Sequence, residues 1–210
     1  NTHKPVSASA VDRPEDVPYL VQMAAARCGG LEALRARPSM QVSVSPVSPL
    51  RFTAGVAGAI LAVAEAGLPF HSLPAPSLGA TGPVTLAGCL AQQHAEVLAS
   101  FVLAAAARPG VPVVYCSRIG PVDPRTGLSA WGGPEVGISG ACAAQLAHRL
   151  GLPCDSYGLA TSSPHLDAQH TYERLANALV PALAGVDMLS GIGMAGNLAG
   201  LDFEPPGPIV

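Results

Sequence analysis

Aromatic side chains make up only 4% of this 210-residue chain, so their positions are informative. Tyr115 stands at the end of an apolar run, Trp131 lies in the loop that follows it, and Tyr157 lies in the next apolar run. Aromatic faces attract small organic cations. A buried tyrosine with a hydrogen-bonded hydroxyl is the structural alternative for Tyr115 and Tyr157. The pattern therefore predicts a candidate cation-binding site that uses these three rings.

Carboxylate and amide side chains lie at the start of two of the predicted helices. Glu135 comes directly after Pro134, and Asp167 and Gln169 follow Pro164. A carboxylate is favoured at any helix N-terminus, so Asp167 can simply cap its helix. If these helix starts face a ligand, Glu135 and Asp167 supply negative charge and Gln169 supplies an amide hydrogen bond. These three residues form the candidate catalytic group.

Two arginines, Arg118 and Arg125, lie in the loop after the run that contains Tyr115. Either can bind a substrate carboxylate, contact a docking protein or remain a solvated loop charge. Arg118 is the candidate substrate-binding residue of the two. Glu173 follows Gln169 by one helical turn and shares its face, and we expect a structural role for it.

The turn from Gly79 to Gly82 precedes a long predicted helix and is the candidate cofactor-binding segment. Backbone amides in such a turn can cradle a phosphate or carboxylate, and Gly79, Thr81 and Gly82 would do so here. A tight turn between a strand and a helix is the alternative. No metal site is expected, because the cysteines form no Cys-x-x-Cys pair and His165 and His170 are not spaced by one helical turn.

The elements that position these residues are marked by a recurring pattern of glycine, an aliphatic residue and proline. It occurs at Gly67, Gly110 and Gly151, and Gly185 repeats it without the proline. Glycine ends helices in the left-handed conformation, and proline suits the first residue of a strand. The interval of roughly 40 residues is the length of one βα unit. Serial βα units predict a parallel sheet with functional residues at the strand C-terminal ends.

The same patterns predict five strands with helices between them, preceded by one further helix. The strands are predicted at residues 41–47, 68–73, 111–116, 153–160 and 186–194. The helices are predicted at residues 14–28, 50–66, 83–107, 134–150 and 164–184.

An open doubly wound sheet is the alternative fold, but no GxGxxG or GxxxxGK[ST] motif follows a strand. Long βα loops favour a (β/α)8 TIM barrel within the α/β class. Such a barrel takes about 250 residues, so five units indicate a partial barrel domain over residues 1–210.

Charged residues make up only 12% of the chain, about half of the roughly 25% usual for soluble domains. We therefore expect a partner chain or further segments to cover apolar surface, and a homo-oligomer. The net charge of −3 and the scattered basic residues argue against nucleic acid or a membrane as a partner. The apolar stretch at residues 54–64 is too short for a bilayer, which needs about 18–20 residues. No signal peptide is visible, and a cytoplasmic location is expected.

Several segments carry a family resemblance in order along the chain. They are Ser45 to Leu50, Gly79 to Gly88 with Ala95 to Ala99, Asp123 to Gly127, Pro134-Glu135, Asp167 to Gln169 with Glu173, and Ser190 to Met194. With these segments the chain resembles the trimethylamine–corrinoid methyltransferase family, whose non-pyrrolysine members include the glycine betaine methyltransferases.

The resemblance implies a (β/α)8 barrel, of which this chain is the middle part, with a methylated amine bound at the barrel mouth. It implies a corrinoid (cobalamin) cofactor that is carried by a partner protein and presents Co(I) to the methyl group. Met194, at the end of the last predicted strand, completes the candidate substrate-binding set.

Two departures from the family pattern bear on the substrate. The trimethylamine enzymes carry pyrrolysine near the loop that here reads Gly196 to Leu201, and none stands there. Residues 161–163 read Thr-Ser-Ser where a Thr-Asp-Ser-type segment is usual. Both departures favour a quaternary amine such as a betaine. The alternatives are a barrel enzyme, or a non-catalytic barrel fragment, that binds a small cation without corrinoid chemistry.

Overall fold

The computed structural model describes residues 6–8 and 11–191, in which strands alternate with helices. After a 3-10 turn at Pro14–Asp16, the helices are α1 (Val17–Cys28), α2 (Leu31–Ala36), α3 (Ala54–Ala66), α4 (Leu86–Ala107), α5 (Pro134–Arg149) and α6 (Ala168–Leu183). The strands are β1 (Val6–Ala8), β2 (Met40–Val44), β3 (Phe70–Ser72), β4 (Ser77–Leu78), β5 (Val113–Ser117), β6 (Gly120–Pro121), β7 (Cys154–Tyr157) and β8 (Met188–Ser190). Over the described residues, no helix has both the length and the apolar character that crossing a bilayer requires.

The main sheet is parallel and its strand order follows the chain. Hydrogen bonds join the strands in the order β1-β2-β3-β5-β7-β8. Val42 pairs with Phe70, and Tyr115 with Cys154, both in parallel register. A doubly wound sheet reverses its order at a switch point, whereas the strands of a (β/α) barrel follow in sequence. This order confirms the predicted fold class, a segment of TIM-barrel type.

The chain divides into two compact units. The first comprises residues 1–74 and 95–114, and the second comprises residues 75–94 and 115–210. In the first unit α3 packs against β2 and β3. Phe70 of β3 meets Phe101 of α4 edge-on, with ring centroids 6.2 Å apart. The buried apolar side chains of this unit include Leu34, Val42, Val44, Ile60, Val63, Leu68 and Phe70.

In the second unit, small residues let α5 lie close to α6 and β7. A Cβ added at Gly137 would lie 3.0 Å from the carbonyl oxygen of Ala176, and one at Gly140 would overlap the Ser156 hydroxyl. Replacing either glycine by a larger residue would force the two helices apart. The close approach fixes α6, and the side chains that it carries, relative to the end of β7.

The helix ends follow the predicted glycine pattern. Gly67, Gly110, Gly151 and Gly185 have φ values of 77°, 78°, 68° and 84°. This left-handed conformation is nearly free of strain for glycine alone. The sequence pattern therefore marked the ends of four helices correctly.

Other boundaries differ from the prediction. Helix α3 begins at Ala54 rather than residue 50, because Thr53 caps it by accepting a hydrogen bond from the Val56 amide. The short helix α2 follows Gly29 and Gly30 without having been predicted. Strands β4 and β6 lie in predicted loops and pair with each other in parallel. The last predicted strand is described only to β8, since residues 192–194 lie outside the described ranges.

Replacing Gly140 by alanine is expected to destabilise the protein, although alanine normally favours a helix. The new Cβ would overlap the Ser156 hydroxyl and lie 3.1 Å from Pro181 Cγ. Overpacking of this kind typically costs about 1–3 kcal/mol. Chemical denaturation of the full-length variant measures the loss.

Adding Ser156→Ala should recover part of that loss. The Ser156 hydroxyl makes no hydrogen bond to the described residues, so its removal sacrifices little. A Gly140→Ala protein as stable as the wild type would contradict the close packing of α5 on β7.

Candidate functional site

Three side chains of the second unit come together around the ring of Tyr157. Tyr157 is the last residue of β7, Arg118 directly follows β5, and Trp131 lies between β6 and α5. The Trp131 and Tyr157 rings meet edge-on with centroids 4.9 Å apart. The Arg118 guanidinium carbon lies 5.0 Å from the Tyr157 ring centroid. These three residues, here called the Tyr157 cluster, were all predicted from the sequence to contact substrate.

The Tyr157 cluster is largely shielded from water. Tyr157 is 2% exposed and Trp131 is 8% exposed. Burial raises the pKa of the Tyr157 hydroxyl to about 12, with the Arg118 charge opposing the shift. The phenol therefore stays protonated at neutral pH. The guanidinium on its ring is a cation–π contact, so this ring already accepts a positively charged group.

Two hydrogen-bond donors of the Tyr157 cluster are buried without a partner. They are Nε of Arg118 and Nε1 of Trp131, neither of which bonds to any described residue. Buried polar groups are nearly always paired, so each such donor calls for an explanation.

Trp131 is held in place by helix α6. The Asn177 side-chain amide donates to the carbonyl oxygens of Trp131, at 3.0 Å, and Ala160, at 3.3 Å. Asn177 is fully buried. On the other side, a Cβ at Gly120 would come within 2.9 Å of the indole, so glycine leaves room for the ring. The position of Trp131 therefore depends on α6 and on β6.

Glu173, one turn before Asn177 on α6, anchors the loop after β7. Its carboxylate accepts hydrogen bonds from the Thr161 hydroxyl and the Ser162 amide, each at 2.7 Å. The Ser162 hydroxyl in turn accepts from the Gly132 amide at 3.1 Å. A Cβ at Gly132 would overlap the Glu173 carboxylate. Glu173 thus ties together the loop after β7 and the loop that carries Trp131.

The three candidate catalytic residues have different surroundings. Gln169 donates its side-chain amide to Glu173 at 2.8 Å. Asp167 accepts from the His170 amide at 2.8 Å and caps α6. Glu135 is exposed in the first turn of α5. The structure thus links Gln169 to Glu173. It places Asp167 and Glu135 at helix N-termini, a position that a purely structural, helix-stabilising carboxylate would also occupy. Their catalytic roles stay predictions.

Tyr115 packs on the helix side of β5. Its hydroxyl lies 3.1 Å from His94 Nδ1 of α4. The next residue, Cys116, contacts Asp155 on the opposite face, its thiol 3.6 Å from the carboxylate. Residues two apart on a strand share a face, so Tyr157 lies on the face of Asp155. Tyr115 is therefore not brought together with the Tyr157 cluster, and burial raises the pKa of its hydroxyl.

The candidate cofactor-binding segment forms a hydrogen-bonded turn. The Gly79 amide donates to the Gly82 carbonyl at 3.1 Å, and the Gly82 amide donates to the Ser77 carbonyl at 2.9 Å. The Thr81 hydroxyl accepts from the Ser77 amide at 2.9 Å. Because these amides are engaged within the turn, they do not fit a cradle for an anionic cofactor group.

The remaining candidate, Met194, lies outside the described residues. Sequence reasoning missed Asn177 as the residue that positions Trp131, and treated Glu173 only as a structural residue. Both lie on one face of a helix at a spacing of one turn, the signal that could have paired them.

Asp167 should make the stability of α6 depend on pH. The hydrogen bond from the His170 amide lowers the pKa of the Asp167 carboxyl. A group whose pKa is lower in the folded than in the unfolded state stabilises the fold fully at pH values above its unfolded-state pKa. This stabilisation is lost as the pH falls through the folded-state pKa. Asp167→Asn should therefore show a smaller loss of stability in acid, and nearly unchanged stability at neutral pH, because asparagine caps about as well.

Thermal unfolding of the full-length protein from neutral to acidic pH measures this difference. Asp167→Ala is the control, since it removes the cap and should be less stable at every pH. If the wild type and Asp167→Asn lost thermal stability identically as the pH falls, the carboxylate would make no stabilising cap.

Comparison with known proteins identifies the family. The model of the trimethylamine methyltransferase (MTTB) family matches residues 1–202. A glycine betaine methyltransferase of Desulfitobacterium hafniense (strain Y51) is 36% identical over 183 residues, which cover 87% of this chain and 38% of that protein. A trimethylamine methyltransferase MttB of Methanosarcina thermophila is 35% identical over 181 residues, 86% of this chain and 38% of that protein.

The chain thus spans less than two fifths of the length of these curated relatives. The resemblance drawn from the sequence motifs is confirmed over nearly the whole chain: it belongs to the trimethylamine methyltransferase (MTTB) family.

Proposed function

We propose that the full-length protein is a corrinoid-dependent methyltransferase that moves a methyl group from a quaternary amine, such as a betaine, to the Co(I) of a corrinoid protein. Relatives named glycine betaine methyltransferase and trimethylamine methyltransferase support methyl transfer from a methylated amine. The observation that carries the proposal is the Tyr157 cluster, in which the rings of Trp131 and Tyr157 lie 4.9 Å apart beside the Arg118 guanidinium. It lies at strand C-terminal ends, where TIM-barrel enzymes place their active sites.

The proposed transfer needs no acid from the protein. When the C–N bond of a quaternary ammonium breaks, its electron pair stays on nitrogen and the tertiary amine leaves neutral. The corrinoid supplies the nucleophile, since Co(I) provides the electron pair of the new bond to the methyl carbon. The residues of this chain therefore have to bind and orient the ammonium group and exclude water.

Each candidate residue has a place in this proposal. Trp131 and Tyr157 provide the buried aromatic surface for the methylated nitrogen. Gln169 acts as a positioning residue, because its amide contacts Glu173 and not an open site. Glu135 and Asp167 add negative charge near the start of their helices, which favours a cationic substrate. The proposed substrate contacts of Tyr115 and Met194 come from the sequence alone.

The proposal extends to the corrinoid protein, the oligomeric state and the cellular location. The corrinoid cofactor resides on a separate protein, the enzyme forms a homo-oligomer, and it acts in the cytoplasm. The low charged fraction of 12% is the feature of this chain that favours coverage of its surface by other protein.

Methylation of Co(I)-cobalamin by the full-length protein tests the proposal. Glycine betaine, tetramethylammonium and trimethylamine serve as donors, and the absorbance of the corrinoid reports the reaction. We expect turnover with a quaternary amine and none without protein. Trp131→Leu should lower kcat/KM about tenfold, because it keeps apolar volume but removes a ring face that contributes about 0.5–2 kcal/mol to cation binding.

Turnover with trimethylamine but with neither quaternary amine would contradict the proposed substrate class. Binding of amines without methylation of Co(I) would contradict the proposed reaction. That second outcome would favour the alternative in which the site binds a small cation without corrinoid chemistry.

A further inference from the structure

The unpaired donors of the Tyr157 cluster point to an acceptor on the ligand. Arg118 Nε and Trp131 Nε1 are buried and make no hydrogen bond within the described ranges. Both side chains contact the same ring, at 5.0 Å for the Arg118 guanidinium carbon and 4.9 Å for the Trp131 ring. A buried donor without an acceptor is destabilising. Two such donors at one ring therefore indicate an acceptor that arrives with the bound ligand.

The charge of Arg118 specifies what kind of acceptor this is. A guanidinium is always protonated and donates in a planar fork that matches a carboxylate. Among the described residues, no ion pair includes Arg118. The Tyr157 ring attracts the cation but does not neutralise it. A ligand with a carboxylate would supply the missing negative charge, whereas a ligand with only a cationic group would be repelled.

Arg125, in the same loop, shows the contrast. Its guanidinium makes two hydrogen bonds to the Asp123 carboxylate, at 3.1 and 3.2 Å, and the side chain is exposed. Arg125 is thus neutralised where it stands and does not need a ligand. The loop after β5 thus contains one arginine paired with a carboxylate and one, Arg118, that pairs with no carboxylate of residues 6–8 and 11–191.

We propose that Arg118 is the residue that binds the carboxylate of a zwitterionic quaternary amine, with the Trp131 indole N–H as the second donor. The proposal rests on the proposed function and narrows its substrate class. The site then selects amines that carry both a trimethylammonium group and a carboxylate. Arg118 is a specificity-determining residue, because it attracts the acid end of such a substrate and repels amines that are purely cationic.

The position of the Arg118 side chain argues against its use in docking the corrinoid protein. Its Nε is inaccessible to solvent. Its guanidinium lies against the face of a ring that is 2% exposed. A docking contact needs charge at the surface, and Arg125 is exposed there whereas Arg118 is only partly exposed.

Binding of glycine betaine and of choline to the full-length protein tests the inference without any corrinoid. Both probes carry a trimethylammonium group, but choline ends in a neutral hydroxyl instead of a carboxylate. Isothermal titration should show tighter binding of glycine betaine to the wild type. Arg118→Gln should weaken glycine betaine binding by on the order of 10- to 100-fold and leave choline unchanged or tighter. Arg118→Lys should recover part of the loss, since it restores charge but not the fork.

The exposed neighbour Arg125→Gln is the matched control and should alter neither affinity. Equal losses for both probes in Arg118→Gln, or equal wild-type affinities, would overturn the inference. If Arg118→Gln fails to fold, Arg118→Lys decides, because it should weaken glycine betaine more than choline. Selective binding with no methylation of Co(I) would refute the proposed function alone, whereas methylation with no carboxylate preference would refute the inference alone.

Discussion

The carboxylate of Glu173 is the interaction on which the candidate site depends. It accepts from the Thr161 hydroxyl, the Ser162 amide and the Gln169 side chain at 2.7 to 2.8 Å. A carboxylate held by several donors is a strong anchor, because charge-assisted hydrogen bonds are short and stiff. It joins α6 to the loop after β7, and through Ser162 to the backbone of Gly132. The neighbouring Trp131 is thereby fixed against the end of β7.

Close packing makes this anchor possible. The glycines of α5 let α6 approach until the Gly137 Cα faces the Ala176 carbonyl without an intervening side chain. That approach brings Asn177 within 3.0 Å of the Trp131 carbonyl. Since the interior permits little rearrangement, the ring positions at the Tyr157 cluster follow from backbone geometry. Arg118 Nε and Trp131 Nε1, which bond to none of the described residues, are thereby held in fixed positions. In the proposed site, a ligand would meet them with little reorganisation on binding.

The sequence predicted what local patterns determine. Helix-ending glycines, apolar runs and the parallel strand order follow from short segments. Trp131, Tyr157 and Arg118 lie together because residues that follow strand ends meet at one end of a parallel sheet. Contacts between distant segments were not predictable in this way. The face on which Tyr115 lies depends on the register of β5 against α4. The pairing of Glu173 with the loop after β7 arises only when α6 docks. Strands of two residues, such as β4 and β6, leave no periodic signal.

The most direct test of this account is the environment of Trp131 in a Glu173→Ala protein. Subtracting the emission spectrum of a Trp131→Phe protein isolates this residue, which is the only tryptophan of the 210-residue chain. The account predicts that Glu173→Ala shifts the Trp131 emission to the red and raises its quenching by acrylamide, because the loop that buries the indole is released. Thr171→Ala, on the exposed side of the same helix, should change neither quantity. Unchanged emission and quenching in Glu173→Ala would contradict the claim that this carboxylate positions the site.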